Sequence, residues 1–96
     1  MRFEWDTAKN LANVARHNIS FETASLVFDD PHALSYQDFS AEDEVRWQTF
    51  GKIGGLIVMV AHTCWEDDGE EVIRVISARR ATSRERKTYE AHQKAG

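Results

Sequence analysis

The chain has 96 residues with a formal net charge of −4 at pH 7, and 42% of its residues are hydrophobic and 29% charged. This composition is typical of one folded domain over residues 1–96 and excludes wholesale disorder, while the single cysteine, Cys64, excludes an internal disulfide and a cysteine-rich metal site. Because no apolar run approaches the roughly 18 to 20 residues of a membrane-spanning helix, and the N-terminus lacks the apolar core of a signal peptide, we expect a cytoplasmic protein.

The first predicted elements are a short extended segment and a helix. Phe3 and Trp5 flank a polar residue, which indicates a very short strand or an anchoring segment. Asp6 is placed to cap a helix that runs to about His17, and Asn18 follows where a left-handed C-cap is expected. The apolar residues of this helix recur at helical spacing: Ala8, Leu11, Ala12 and Ala15.

A second helix and a set of strands follow. Ser20 is placed to cap a helix over residues 21–28, and Pro31 ends it because the residue before a proline is pushed out of the helical region. Gly54 and Gly55 form a strong hairpin signal. The predicted strands cover residues 33–37, 45–53, 56–63 and 72–77, with an acidic loop over residues 66–70.

The last predicted element is a helix near the C-terminus. Thr82 is followed three residues later by Glu85, which is the pattern of a capping box at a helix N-terminus. The order of the elements therefore predicts an α+β domain. It has two N-terminal helices, an antiparallel sheet of three or four strands and a C-terminal helix.

Charge is unevenly divided along the chain. Residues 1–71 carry five basic and fourteen acidic side chains, whereas residues 72–96 carry seven basic and two acidic ones. Arg79, Arg80 and Arg84 lie where the last strand meets the last helix, whose free amide groups and dipole favour an anion. This junction is a candidate phosphate or RNA site. The alternative is a solvated helix face whose arginines pair with acidic residues nearby.

A second candidate site lies on the predicted sheet. Alternation along the strand that starts near residue 45 places Arg46 and Gln48 on one face. If the strands pair as a meander, four side chains converge near one surface: Glu44, Arg46, His62 and Arg74. Cleaving RNA without a metal requires a base for the 2′-OH, charge stabilisation of the phosphorane and a proton for the leaving oxygen, which these residue types supply. The alternatives are a structural histidine bonded to backbone and a local Glu44–Arg46 ion pair.

The remaining histidines indicate no metal chemistry. His17 lies near Lys9 and Arg16 on the first helix, and a histidine in the last turn of a helix is favoured by the helix dipole whether or not it binds a ligand. The four histidines show no metal-ligand spacing, and the chain has no Gly-rich phosphate loop or nucleophile elbow. We therefore expect no metal site and no cofactor.

A series of different short motifs is spread along nearly the whole chain. The N-terminal ones are FEWD at 3–6, AK at 8–9, Asn13, RH at 16–17, SFE at 20–22 and Ala24. The central ones are DP at 30–31, E-x-R at 44–46, Gly51 and HT at 62–63, and the most specific is R-x-ISARRAT-x-x-ER-x-x-Y over 74–89. Together these motifs resemble the BrnT-type toxins.

The resemblance implies a type II toxin with a compact fold similar to the RelE ribonucleases, which acts on RNA to block translation. It also implies a small antitoxin whose DNA-binding part is of ribbon-helix-helix type, so that operator DNA is bound only through the complex. The motif residues that it implies for the site are Glu44, Arg46, His62, Arg74, Arg79 and Arg80, with Lys9 and His17 as additions. The charged junction adds Arg84 as an RNA contact.

Within that set we assign roles by chemistry. His62 or Glu44 is the expected proton acceptor, Arg46 and Arg79 are expected to stabilise phosphate charge, and Arg80 is expected to position RNA. The leading hypothesis is a metal-independent endoribonuclease toxin. The alternative is a non-catalytic protein-binding module, or an inactive toxin relative retained for transcriptional autoregulation. RNA degradation in EDTA and growth arrest on expression alone separate the two.

Overall fold

A computed structural model describes residues 1–95, which form three α-helices, one 3-10 helix and a five-stranded sheet. In chain order the elements are β1 Arg2–Glu4, α1 Thr7–His17, α2 Phe21–Ala24, the 3-10 helix Ser25–Asp29, β2 Leu34–Asp38, β3 Arg46–Ile53, β4 Leu56–Asp67, β5 Glu70–Arg80 and α3 Ser83–Ala95. The strands lie in the order β1-β5-β4-β3-β2. None of the helices formed by these residues has both the length and the apolar character that a membrane crossing requires.

The α+β class is confirmed, but the sheet has five strands and is mixed rather than wholly antiparallel. Strands β2 to β5 pair antiparallel, whereas β1 pairs parallel with β5 through Arg2 opposite Val72 and Glu4 opposite Arg74. Most of the chain separates β1 from β5, and a strand this short has no hydrophobic pattern that could specify so distant a partner. Phe3 packs against the core from this edge strand.

The second N-terminal helix is much shorter than predicted. The hydroxyl of Ser20 caps it as expected, but α2 has only four residues before the 3-10 helix continues the chain. The fully buried residues in this stretch are three apart: Phe21, Ala24 and Val27. Because side chains three residues apart eclipse one another in a 3-10 helix, the tighter turn keeps this row against the sheet.

Three other predicted helix ends are confirmed. The carboxylate of Asp6 accepts a hydrogen bond from the Lys9 amide at 3.0 Å. Asn18 adopts the left-handed conformation with φ 57°. The Thr82 amide donates to Glu85 Oε1 at 2.8 Å while the Glu85 amide donates to Thr82 Oγ1 at 3.2 Å, which is the reciprocal bonding of a capping box.

Two tight hairpins hold the central strands together. The turn at Gly54 and Gly55 joins β3 to β4, as predicted. The prediction of an acidic loop over residues 66–70 is wrong, because β4 and β5 extend until only Asp68 and Gly69 remain between them. Both turn residues have positive φ, 52° and 82°, as a type I′ turn requires, so the Asp-Gly pair is itself a hairpin signal.

The sheet carries a hydrophobic cluster on each face. Helix α2 and the 3-10 helix cover one face, the α2 face, where Val60 and Val75 are buried. Helix α3 covers part of the other, the α3 face, where Tyr89 packs with Phe50 and Met59. The part of the α3 face that this helix leaves open is the surface on which polar side chains collect.

Helix α1 docks at the edge of β5 through an amide rather than through its apolar residues. Nδ2 of the buried Asn13 donates to the Ile19 carbonyl at 2.8 Å, and Oδ1 accepts from the Ala78 amide at 3.0 Å. The four apolar residues predicted at helical spacing are all exposed instead, with Leu11 65% exposed, and Val14 is also 40% exposed. The helix period therefore identifies the element but not the side that packs.

Candidate active site

The sheet register arranges the side chains of the α3 face in rows across the strands, because alternate residues of a strand point to the same face. The polar row combines the pairs Asp38–Arg46, Thr63–Arg74 and Glu4–Arg74. The middle row is Tyr36, Gln48, Ala61 and Ser77. The covered row, next to α3, is Leu34, Phe50, Met59 and Arg79.

A pocket of about 210 Å³ lies over the polar row and is called the basic pocket here. Its lining is Lys9, Glu44, Arg46, Thr63, Arg74 and Ile76. The pocket therefore holds three cations and one carboxylate, so its formal charge is positive. Four of the nine predicted site residues meet in this one place.

The charges of the basic pocket are only partly compensated. Arg46 Nη2 donates to Glu44 Oε1 at 3.0 Å, which is the local ion pair that the sequence left open as an alternative. Within residues 1–95, Lys9 and Arg74 form no ion pair. In the same part of the chain, Nε of Arg46 is the buried side-chain atom without a hydrogen-bond partner. Such a site favours an anion that brings its own acceptors.

The pocket draws on four separate segments. Arg46 begins β3, Glu44 precedes it in the loop, and Arg74 lies in the middle of β5. Lys9 comes from α1, one helical turn before Asn13, whose amide fixes the helix to the edge of β5. The position of Lys9 therefore depends on a tertiary hydrogen bond rather than on any pattern around Lys9.

His62 lies on the opposite face of the sheet, so the prediction that it shares a surface with Glu44, Arg46 and Arg74 is wrong. It pairs with Trp47, and the strand pleat sends this pair to the α2 face while Arg46 points to the α3 face. The side chain is only 4% exposed. Its ring packs edge-on against Phe28 with centroids 5.0 Å apart.

Both ring nitrogens of His62 contact polar atoms within the fold. Nε2 lies 2.7 Å from Thr49 Oγ1, which in turn meets Ser35 Oγ at 2.8 Å, and Nδ1 lies 3.4 Å from the Thr63 carbonyl oxygen. Burial lowers the pKa of His62, against smaller opposing effects of the Thr63 carbonyl and Glu71. His62 is therefore buried and bonded within the fold, as in the structural alternative, although its shorter contact is to a side chain rather than to backbone.

Arg79 is on the α3 face but is held by an acid. Its Nη1 and Nη2 donate to the two oxygens of Glu85 at 2.8 and 3.1 Å. These hydrogen bonds raise the pKa of Arg79 and lower the pKa of Glu85. Arg86 likewise lies 3.4 Å from Glu90. Arg79 and Arg86 therefore pair with nearby acidic residues, which is the alternative to RNA contact that the sequence had left open.

The other predicted RNA contacts are dispersed. Arg80 is exposed and pairs with Val58, so it points to the α2 face. Arg84 lines a second pocket, beside the first turn of α3. His17 is in the last turn of α1, about 12 Å along the helix from Lys9. The nine residues therefore divide into a pocket of four and five separate positions.

The sequence pattern of the family described as "Ribonuclease toxin, BrnT, of type II toxin-antitoxin system" matches residues 5–85. The chain belongs to the BrnT family. The matched stretch contains all nine predicted site residues, and the family is one of ribonuclease toxins from type II toxin–antitoxin systems. No curated protein matches the chain.

Sequence reasoning missed the contact between Asp30 and Tyr89. The Tyr89 hydroxyl donates a hydrogen bond to Asp30 Oδ2, which also accepts from the Lys52 amide at 2.7 Å. Burial and the bond to Asp30 raise the pKa of Tyr89 to about 12. Desolvation opposes ionisation of Asp30, yet its hydrogen bonds leave the pKa lowered. The contact joins α3 to the segment after the 3-10 helix and, through the Lys52 amide, to β3.

Three neighbours of the candidate site were also missed: Thr63, Gln48 and Tyr36. Thr63 lies beside Arg74 on the polar row, and Gln48 lies two residues from Arg46 on the same face of β3. The alternation of β3 was a usable signal for Gln48, since it groups that residue with Arg46. No comparable signal existed for Tyr36, whose position depends on the β2–β3 register.

Proposed function

We propose that the chain is the toxin of a type II toxin–antitoxin system, a single domain that cleaves RNA as a metal-independent endoribonuclease and inhibits translation. The observation that carries this proposal is the basic pocket, in which the carboxylate of Glu44 lies among the cations Lys9, Arg46 and Arg74. Family membership supports the ribonuclease class. The pocket supports a particular chemistry for it.

In the proposed reaction Glu44 accepts the proton of a ribose 2′-OH, and the 2′-oxygen attacks the adjacent phosphorus. Arg46 and Arg74 stabilise the negative charge that develops on the phosphorane, with Arg46 oriented by its hydrogen bond to Glu44 and Arg74 carried by the middle of β5. The bond from phosphorus to the 5′-oxygen breaks, and that oxygen takes a proton from solvent in the open pocket. The products are a 2′,3′-cyclic phosphate and a 5′-hydroxyl.

The proposal gives the remaining candidates supporting roles. Lys9 adds a third cation to the pocket, and the exposed cations Arg80 and Arg84 contact the RNA backbone on either side of the sheet. Arg79 positions the start of α3 through Glu85. His62 and His17 are left out of the chemistry, since burial of the one and distance of the other separate them from the pocket.

We further propose that a cognate antitoxin with a ribbon-helix-helix-type DNA-binding domain neutralises the toxin in the cytoplasm, and that operator DNA is bound only by the complex. The exposed apolar residues Leu11 and Val14 of α1 support a protein partner. The same observation favours the second candidate function, a binding module without activity. That module would use α1 and leave the basic pocket without a catalytic role.

The experiment that tests the proposal is RNA cleavage by the purified chain in EDTA, followed by analysis of the product ends. We expect cleavage to 5′-hydroxyl products without added metal, and a Glu44→Gln variant that is at least about 100-fold slower. The Glu42→Gln variant, in the same exposed loop but outside the basic pocket, is the matched control. Activity that appears only with added Mg²⁺ would rule out the metal-independent mechanism.

Growth on expression of the chain alone provides the second readout. We expect arrest with the wild type and rescue with Glu44→Gln. If the purified chain leaves RNA intact at high concentration yet binds a partner protein tightly, the binding module is the correct function.

A further inference from the structure

A second concave site adjoins the basic pocket on the α3 face. It has a volume of about 360 Å³ and lies between the β2–β3 hairpin pair and the first turns of α3. Its lining is Leu34, Tyr36, Gln48, Phe50, Arg84, Glu85 and Thr88, and it is called the aromatic groove here. The Glu85 carboxylate is bonded to Arg79. Unlike the basic pocket, the groove is mostly apolar, with polar groups at the edge.

The groove and the basic pocket form one continuous surface. Gln48 of the groove and Arg46 of the pocket are two residues apart on the same face of β3, which corresponds to about 7 Å. Tyr36 lies directly across from Gln48 in the middle row. A strand of RNA whose phosphate occupies the basic pocket would therefore bring a neighbouring base over the middle row.

The aromatic ring of the groove is held and yet accessible. Tyr36 is 47% exposed, and its ring meets that of Phe50 at a centroid distance of 6.0 Å and an angle of 71°. This contact restricts the ring while leaving part of it open to solvent. An accessible, restricted aromatic ring is the platform on which unpaired bases stack.

The polar groups of the groove suit a base and a phosphate. The side-chain hydrogen bonds of β2 and β3 within residues 1–95 engage Ser35, Asp38, Arg46 and Thr49 and leave the Gln48 amide free. That amide offers both a donor and an acceptor, which is what the edge of a base requires. Arg84 makes no ion pair with the described part of the chain and adds a cation at the rim.

We propose that the aromatic groove binds a nucleobase of the RNA strand next to the cleaved phosphate, with Tyr36 stacking on the base and Gln48 contacting its edge. This inference rests on the proposed function, because the strand is placed by the basic pocket. A nucleobase fits better than a peptide since stacking surface, amide and cation all converge beside a second cationic site. Tyr36 and Gln48 thereby become the residues that set base preference.

Binding and cleavage test the inference separately. Binding is measured by fluorescence anisotropy with short 2′-O-methyl oligonucleotides, which lack the attacking hydroxyl, and cleavage is measured as KM and kcat on the matching RNA. We expect Tyr36→Ala to weaken binding and raise KM by about tenfold or more, and Tyr36→Phe to stay within about twofold of the wild type. Gln48→Ala is expected to narrow the differences in affinity among U, C, A and G oligonucleotides.

The matched control is Leu26→Ala, which removes an apolar side chain of similar exposure, 49%, from the 3-10 helix that covers the α2 face. We expect that variant to bind and cleave like the wild type, and thermal unfolding of each variant checks that it is folded. Wild-type cleavage combined with unchanged binding and KM in Tyr36→Ala would overturn the groove while leaving the proposed function intact.

Two other results separate the remaining possibilities. A wild type that binds the 2′-O-methyl oligonucleotides through Tyr36 but cleaves no RNA supports the groove and contradicts the proposed function. A Tyr36→Ala variant that binds oligonucleotides normally but loses affinity for the purified antitoxin would make the groove a protein-docking surface, and the inference would be wrong.

Discussion

The two faces of the sheet use polar side chains in opposite ways. On the α2 face, His62, Thr49 and Ser35 form a chain of contacts of 2.7 and 2.8 Å. On the α3 face, Arg74 and Lys9 border an open pocket and make no ion pair within residues 1–95. Polar groups that satisfy one another stabilise the fold, whereas polar groups that are left unsatisfied are available to a ligand.

This contrast arises within single strands. Neighbouring residues Arg46 and Trp47 on β3, and His62 and Thr63 on β4, point to opposite faces because of the pleat. Closeness in sequence therefore says little about shared function in a sheet. A histidine beside a site residue can lie on the wrong side of the backbone, as His62 does.

The largest expected effect distinguishes free from paired arginines. We expect Arg74→Ala to lower kcat/KM for RNA cleavage by about 10²- to 10³-fold, because it removes a cation from the basic pocket. Arg86→Ala, whose side chain is exposed and lies beside Glu90, is the control and should leave kcat/KM unchanged. If Arg74→Ala and Arg86→Ala have the same kcat/KM, the basic pocket does not take part in the reaction.

The next effect is on stability and concerns the buried face. His62→Ala should lower the free energy of unfolding by about 1–3 kcal/mol, since it removes a buried hydrogen-bonding ring from between Thr49 and Phe28. The kcat per folded molecule should stay near the wild-type value. Urea denaturation gives the first quantity and active-site-normalised cleavage the second. If a folded His62→Ala variant has a kcat 100-fold below that of the wild type, His62 takes part in the reaction and this prediction is wrong.

A smaller effect is expected for the arginine that is already paired. Arg79→Ala should destabilise the chain by about 1 kcal/mol or less, because the Arg79–Glu85 pair is partly exposed and solvent screens it. Its kcat/KM should change less than threefold, about 0.7 kcal/mol. Thermal unfolding and the cleavage assay on the same preparation check both. A loss of activity as large as that of Arg74→Ala would show that Arg79 is released from Glu85 when RNA binds.

The smallest effect is a dependence of stability on pH. Burial lowers the pKa of His62 below its ordinary value of 6.5, so the unfolded chain binds more protons than the folded chain just below that pH. Stability from this group is present above pH 6.5 and is lost as pH falls toward the folded pKa. His62→Gln should remove this part of the slope when unfolding is measured between pH 5 and 8.

The carboxylates do not interfere in that range. The pKa values of Asp30 and Glu85 are also lowered, from ordinary values of 3.8 and 4.5, so their contributions are lost only at lower pH. Identical slopes for the wild type and His62→Gln above pH 5 would show that the histidine is not desolvated in solution.

Local chemistry explains which structural predictions were correct. Caps and short turns depend on residues within a few positions of one another, so Asp6, Asn18 and the Thr82–Glu85 box were predictable. The Gly54 turn was predictable for the same reason. The missed turn at Asp68 and Gly69 was an equally local signal, but the acidic residues around it were read as a loop.

The candidate site was predictable only in part. The pair Glu44 and Arg46 came from local spacing, and Arg74 came from a charge within an apolar strand, and all three line one pocket. Lys9 joins them because Asn13 bonds the Ala78 amide at the edge of β5. That contact spans 65 positions in the chain, and no periodicity reports it.

The sequence by itself determined the family, most of the element types and the capped helix ends, because these depend on motifs and on local hydrogen bonding. The tertiary structure alone decided which face each charged side chain joins. A register shift between Ala61 and His62 lets Arg79, rather than Arg80, follow Arg74 onto the α3 face, although strict alternation would choose Arg80. Such a shift belongs to the pairing of two strands, and so neither strand encodes it alone.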